Sequence, residues 1–302
     1  MYYLPKSIIM KNIIVPVDFS EDSLKGLDLA VLISKKLKVN IQMVFVQKKT
    51  ADYYPGTLEK DAHKYAENRF EQILEEYNGK LENKSGLKYI IKKGKIYEEV
   101  VNQAQSFEDS IITATTHGAS GFEELFIGSN AFRIISATDR PVITITKGDV
   151  PESFNKIVLP IDITVQTRQK LPMTFEVAKL FDSEVHVISV ASSKGTKIQN
   201  RLKAYNKQVV EFLTSKNIKT VSDNVYGDNI TDITLNYAKS IKADLISIMT
   251  EQETSLSNIL LGSYAHQMLN NSYIPVMSIT PKEMRFSNGF QTFGATGLED
   301  TL

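Results

Sequence analysis

Two stretches of this sequence bring together residue types that could handle an anion. In the first, Ile13-Ile14-Val15-Pro16-Val17-Asp18-Phe19-Ser20, a carboxylate follows an apolar, β-branched run. The second is the loop Thr115-Thr116-His117-Gly118-Ala119-Ser120-Gly121, followed by Gly128-Ser129 at the start of a helical pattern. Glycines let a backbone approach phosphate oxygens closely, and the amides at a helix start point outward without partners. The Ser129 hydroxyl can add a hydrogen bond or simply cap its own helix, and the glycines can equally serve turn geometry. Neither GxxxxGK[ST] nor GxGxxG occurs, so the P-loop and dinucleotide fingerprints are both absent. Catalysis has less support. His117 has no nucleophile placed beside it by the sequence, and a structural hydrogen bond is its expected role. No lysine or arginine lies between residues 115 and 130 to neutralise charge on a transferring phosphoryl group. No catalytic residue is assigned.

The elements that must position these residues occur twice. Ile13–Ser20 matches Ile157-Val158-Leu159-Pro160-Ile161-Asp162-Ile163-Thr164 at an offset of 144, whereas Gly128-Ser129 and Pro141-Val142 match Gly262-Ser263 and Pro275-Val276 at an offset of 134. The difference predicts a shorter middle connection in the second copy. In the first copy, strands are expected at 13–17, 41–46, 87–92, 110–115 and 141–146, and helices at 21–38, 58–77, 97–105 and 129–137. The second copy repeats the order, with strands at 157–161, 185–190, 218–225, 245–249 and 275–280. Its helices end near 182 or span 197–216, 230–242 and 263–270. Pro172 inside the first of these predicts a late start or a kink. Strands alternating with helices require parallel pairing, so the expected fold class is α/β: two tandem, doubly wound, Rossmann-like domains, each with a five-stranded parallel sheet. The expected domains are residues 1–150 and 151–281, joined near Lys147–Phe154, with a Gly-containing tail at 282–302. Residues 1–9 read as an extension or a misassigned start.

Composition bounds the partners. Lys+Arg and Asp+Glu both total 35, which gives no general attraction for nucleic acid or acidic membranes. There is no cysteine, hence no disulfide, thiolate metal site or thiol chemistry. No apolar run is long enough to cross a bilayer, and the first residues lack a signal-peptide core, so a cytoplasmic location without membrane partners is expected. The histidines at 63, 186 and 266 lack metal-ligand spacing. Lys92-Lys93-Gly94-Lys95 reads as a solvated strand end, and Tyr53-Tyr54-Pro55-Gly56 as a loop that packs locally or folds over a ligand.

The I-I-V-P-V-D-F-S strand, the T-H-G-x-x-G-F-x-x-L-x-x-G-S loop and the closing P-V-I-T-I strand together resemble the universal stress protein family, over residues 11–147 and again 155–281. That resemblance implies the same five-stranded parallel fold, with ATP bound in many members through G-x2-G-x9-G-[ST]. Carried over, Asp18 sits by the ribose or a nucleotide-bound magnesium, Val46 offers its backbone to the adenine, and Pro16 and Val17 line that pocket. Gly118, Gly128, Ser129 and Asn130 cradle phosphates, with His117 a contact in the same loop. Thr115 stands where the motif has its first glycine, so it either narrows the phosphate approach or adds a hydroxyl donor. The second copy has Met249, Gln252, Gly262 and Ser263 at the motif positions, with Glu251 and Glu253 nearby, and no nucleotide is expected there. Asp162 and Val190 persist. Asp18 and Asp162 can each instead cap the following helix. The resemblance also implies antiparallel pairing of the two fifth strands, Val142–Thr146 with Val276–Thr280, making an intrachain pseudo-dimer free to dimerise again. The functional expectation is a stress-response regulator that binds an adenine nucleotide and an unidentified protein partner. The alternatives are a ligand-free scaffold and a slow ATPase.

Overall fold

The inner strands of the chain's main sheet are buried on both faces, and the sequence shows why. In β1 (Asn12–Pro16) the alternating residues Ile13 and Val15 enter one apolar layer and Ile14 the other, all fully buried. The computed structural model describes residues 10–47, 57–116, 129–192, 195–250, 252–255 and 258–281.

The first half runs β1, α1 (Glu21–Ser34), β2 (Asn40–Gln47), α2 (Thr57–Tyr77), β3 (Gly86–Lys93), α3 (Ile96–Gln105), β4 (Ser110–Thr115), α4 (Ser129–Ala137) and β5 (Val142–Ile145). The second half runs β6 (Lys156–Ile161), a 3₁₀ turn (Val165–Arg168), α5 (Leu171–Phe181), β7 (Glu184–Ala191), α6 (Thr196–Ser215), β8 (Lys219–Tyr226), α7 (Ile230–Ser240) and β9 (Leu245–Met249). It closes with a hairpin of β10 (Gln252–Ser255) and β11 (Asn258–Leu261), then α8 (Ser263–Asn271) and β12 (Val276–Ile279).

Each half is a five-stranded parallel sheet, as expected, and the two are continuous. The ten-stranded order is β3-β2-β1-β4-β5-β12-β9-β6-β7-β8. The seam is the antiparallel pair of β5 and β12, with Val276 opposite Thr144, Met277 opposite Ile143 and Ser278 opposite Val142. This is the pairing anticipated for the two fifth strands. The order is a palindrome about the seam, so β3 and β8 form the outer edges. Both carry polar side chains along their length, which discourages further strand addition.

Three local features depart from the periodicity. Helix α1 stops at Ser34, before the expected Lys38, and Asn83 Nδ2 donates to the Ser34 carbonyl that the helix leaves unpaired. Pro172 lies in the first turn of α5, where its missing N–H costs nothing, and the preceding turn is 3₁₀. The β10–β11 hairpin falls in a stretch where no element was expected; its strands are four residues each, too short for alternation to register.

Candidate functional site

Ligands of open parallel sheets sit beyond the carboxyl ends of the strands, where the strand order reverses. In the first half that point lies between β1 and β4, since β1 pairs with β2 on one side and β4 on the other. Along this edge lie Pro16 at the end of β1, Val17 and Asp18 just after it, Val46 near the end of β2, Thr115 at the end of β4, and Ser129 and Asn130 at the start of α4. His117, Gly118 and Gly128 lie outside the described residues, as do the tyrosines at 53 and 54.

The turn after β1 is built by side chains. The Val17 N–H continues the ladder to the Val44 carbonyl at 3.0 Å. The exposed Asp18 then accepts two hydrogen bonds on Oδ1, from the Ser20 amide at 3.1 Å and the Ser20 hydroxyl at 2.6 Å. Ser20 in turn N-caps α1 by accepting from the Ser23 amide at 3.1 Å. Asp18 therefore forms the capping turn weighed against a ligand role, and its carboxylate stays on the rim while doing so. Between them, Phe19 holds φ at 67°, a left-handed backbone that costs a residue with a Cβ about 1–2 kcal/mol. Its ring lies 4.8 Å from that of Phe45 and 4.9 Å from that of Phe70, and this aromatic packing keeps the turn in place.

Next to Val46 the structure reveals a residue that sequence reasoning passed over. Gln47 is 8% exposed, and both Oε1 and Nε2 are buried without a hydrogen-bond partner among the described residues. An orphaned amide costs stability unless something satisfies it. The available signal was a polar residue at an inward strand position whose counterpart in the second copy is Ala191. At the end of β4, Thr116 is buried; its amide donates to the Ile145 carbonyl and its hydroxyl to Thr146 Oγ1 at 2.8 Å.

The second half repeats the turn and changes what lies beneath it. Asp162 Oδ1 accepts from the Thr164 amide at 2.7 Å and its hydroxyl at 2.6 Å, and the Asp162 amide donates to Thr167 Oγ1 at 3.1 Å. The position matching Gly26, however, is Lys170. Gly26 seats α1 against β4 so closely that a Cβ there would lie 3.1 Å from the Thr113 carbonyl oxygen and from Ala114 Cα. A lysine does not fit such an approach, and the second half answers with the 3₁₀ turn, the late start of α5 and a hydroxyl bridge from Thr174 to Ser247 at 2.8 Å. The Lys170 ammonium is fully buried and donates to Thr167 Oγ1 at 3.1 Å. Burial pushes it down from 10.5 to about 8, against the pull of the Asp162 carboxylate. Beside it the buried Arg168 lies over the Tyr205 ring at 3.9 Å and donates to Gln208, and burial likewise lowers its pKa. Lys170 was not singled out from sequence, because only the pairing with Gly26 makes it unusual.

Two halves with matched capping turns, matched strand orders and one antiparallel seam describe a duplicated unit. The sequence model of the Universal stress protein family matches residues 10–146 and again 153–279. The chain belongs to the universal stress protein family. A universal stress protein of Methanocaldococcus jannaschii is 29% identical over 140 residues, which is 42% of this chain and 82% of the relative. Among solved structures, a universal stress protein from Archaeoglobus fulgidus DSM 4304 superposes with a TM-score of 0.73 at 20% identity, covering 91% of this chain and 98% of that one. A functionally unknown protein from Pseudomonas aeruginosa PAO1 superposes at 0.64 and 16% identity, covering 91% and 94%. At these identities the structural likeness speaks to the fold, and it spans both halves.

The remaining histidines of this universal stress protein are engaged elsewhere. His186 is buried between Tyr237 Oη at 3.0 Å and Glu184 Oε1 at 2.8 Å. His266 contacts Asn270 and meets the Phe132 ring edge-on across the seam, while His63 lies 3.5 Å from Glu67. Among the described residues no group of three or more His, Asp or Glu side chains could hold a metal ion, and no helix is long and apolar enough to cross a membrane.

Proposed function

We propose that the first half of this universal stress protein binds an adenine nucleotide, as its magnesium complex, and that occupancy regulates binding of a protein partner. The observation that carries the reading is Gln47. Both amide atoms are buried beside Val46 with no hydrogen-bond partner among the described residues, and adenine presents along one edge the donor and acceptor that would satisfy them. In this reading Pro16, Val17 and Val46 frame the base, and Asp18 faces the ribose or the magnesium. The loop with Gly118 and Gly128, together with Ser129 and Asn130 at the start of α4, receives the phosphates. The second half has Ala191 for Gln47 and a buried ammonium beneath its turn, which supports a single nucleotide per chain. Residues 1–150 and 151–281 are then separate functional units in a cytoplasmic protein.

Calorimetric titration with Mg-ATP tests this. The expected result is one micromolar site per chain, lost in Gly118→Val and weakened in Asp18→Asn, which keeps the Oδ1 acceptor of the capping turn but removes the charge. No heat from a folded protein would overturn the reading in favour of a ligand-free scaffold, for which the continuous sheet across the seam is the supporting observation. Slow ATP hydrolysis would appear as phosphate release above a buffer blank and lost in Asp18→Ala. The lack of a cation in residues 115–130 speaks against it.

A further inference from the structure

At the opposite end of the second half's sheet lies a cleft of about 780 Å³. That is within the range of roughly 300–1,000 Å³ that encloses small organic ligands. One wall is a face of α7, where Leu235 and Lys239 stand one turn apart with Ala238 beneath. The floor is apolar, formed by Ala243, Ile246 near the start of β9, and Ile274 just before β12. The first half has bulkier or tethered residues at the same positions. Where the second half has Ile274 the first has Arg140, a longer side chain only 16% exposed, and where the second has Ala243 the first has Asp109, tied down by Asn12 at 2.8 Å and Lys11 at 3.7 Å. Ile274 and Ala243 are the shorter side chains of each pair and line the cleft between α7 and the strands.

The lining carries two lysines and two aspartates, set apart rather than paired. Lys239 and Lys242, both exposed, have no carboxylate partner among the described residues. Of the two carboxylates, Asp244 is half-buried and directed at β6, where its Oδ2 accepts from the Lys156 amide at 2.9 Å. Asp232 lies seven residues up α7 from Lys239, about 10 Å along the helix axis. A ligand with its charge at the lysine end is therefore attracted there and kept clear of Asp232. We infer that this cleft binds a small amphipathic organic anion, its apolar body on Leu235, Ala243, Ile246 and Ile274 and its single carboxylate or sulfonate between Lys239 and Lys242. The site is separate from the nucleotide crevice, which lies at the carboxyl ends of the strands in the other half. It also borders the connection between the halves, because the cleft residue Tyr273 lies under Lys147 and its carbonyl abuts Gly148.

The test is fluorescence titration of the full chain with 8-anilinonaphthalene-1-sulfonate, followed by displacement with decanoate. One saturable site is expected, displaced by decanoate and indifferent to excess Mg-ATP. Lys239→Gln with Lys242→Gln should weaken it about tenfold, the scale of one charged contact. Asn236→Trp, at an exposed position on the lip, should abolish it. Both variants change surface residues, and matching circular dichroism melts establish that they fold. Absence of a saturable site, displacement by Mg-ATP, or unchanged affinity in the double lysine variant would each overturn the assignment.

Discussion

Thr146, the residue after β5, donates its hydroxyl to the carbonyl of Leu269 in the last turn of α8, across the seam between the halves. Thr280, after β12, returns the bond to the Thr138 carbonyl just past α4, at 3.0 Å. Carbonyls at helix ends lack intrahelical partners, so each half satisfies one for the other. The two threonines are also reached from the strand ends of their own halves, Thr146 by Thr116 at 2.8 Å and Thr280 by Thr250 at 3.3 Å. Thr146→Val should cost about 1–2 kcal/mol by leaving a buried carbonyl unpaired. Thr280→Val should cost a similar amount. Urea midpoints of the two single variants and the double variant measure this. A double variant as stable as the wild type would show that the seam rests on the β5–β12 ladder alone.

Lys170 makes the second half's stability depend on pH. Its folded pKa, about 8, lies below the unfolded 10.5. Between those values the unfolded chain holds more protons, so stability rises with pH across that window and the full penalty applies below pH 8. The difference corresponds to roughly 3 kcal/mol as an upper scale. Lys170→Met should stabilise the protein at pH 7 by about 1–3 kcal/mol and remove the rise between pH 8 and 9.5. Guanidinium melts at both pH values are the measurement, and an unchanged pH profile would contradict the assignment of the rise to this ammonium.

Gln47 should trade stability against binding. Gln47→Leu replaces an orphaned amide with an apolar side chain, and the unliganded protein should gain about 1 kcal/mol or more. The same variant should bind Mg-ATP several-fold more weakly and discriminate less against GTP. A variant that loses stability with unchanged nucleotide affinity would make Gln47 a structural residue.

Gly26 should tolerate nothing larger. The atoms that a Cβ would meet at 3.1 Å belong to the backbone of β4, a central strand with little freedom to yield. Gly26→Val should destabilise by about 1–3 kcal/mol through overpacking. A melting temperature at or above that of the wild type would mean that α1 lifts from β4 at no cost.

Much of this fold was legible because its causes are local. The Ser20 cap, the alternation of Ile13, Ile14 and Val15, and the displaced start of α5 at Pro172 are each written within a few residues. The pairing of Val142–Ile145 with Val276–Ile279 was expected from the family resemblance and not from any local pattern. The site was less legible. Thr115 and Asp18 could be placed on the crevice edge, but whether an amide such as that of Gln47 finds a partner depends on every element packed around it. Lys170 was hidden for a similar reason: a lysine in a helical pattern looks solvated until the close approach at Gly26 shows that the position faces a strand. The β10–β11 hairpin lacks a glycine turn signal altogether.

The palindromic sheet also has an evolutionary consequence. In a dimer of identical subunits any substitution appears on both sides of the axis. Here the two sides are encoded separately, at a stoichiometry locked at one to one. Lysine can stand at position 170 while glycine stands at 26, and isoleucine at 274 while arginine stands at 140. Covalent linkage thus lets each half carry its own residues at equivalent positions, so a change on one side of the seam need not be matched on the other.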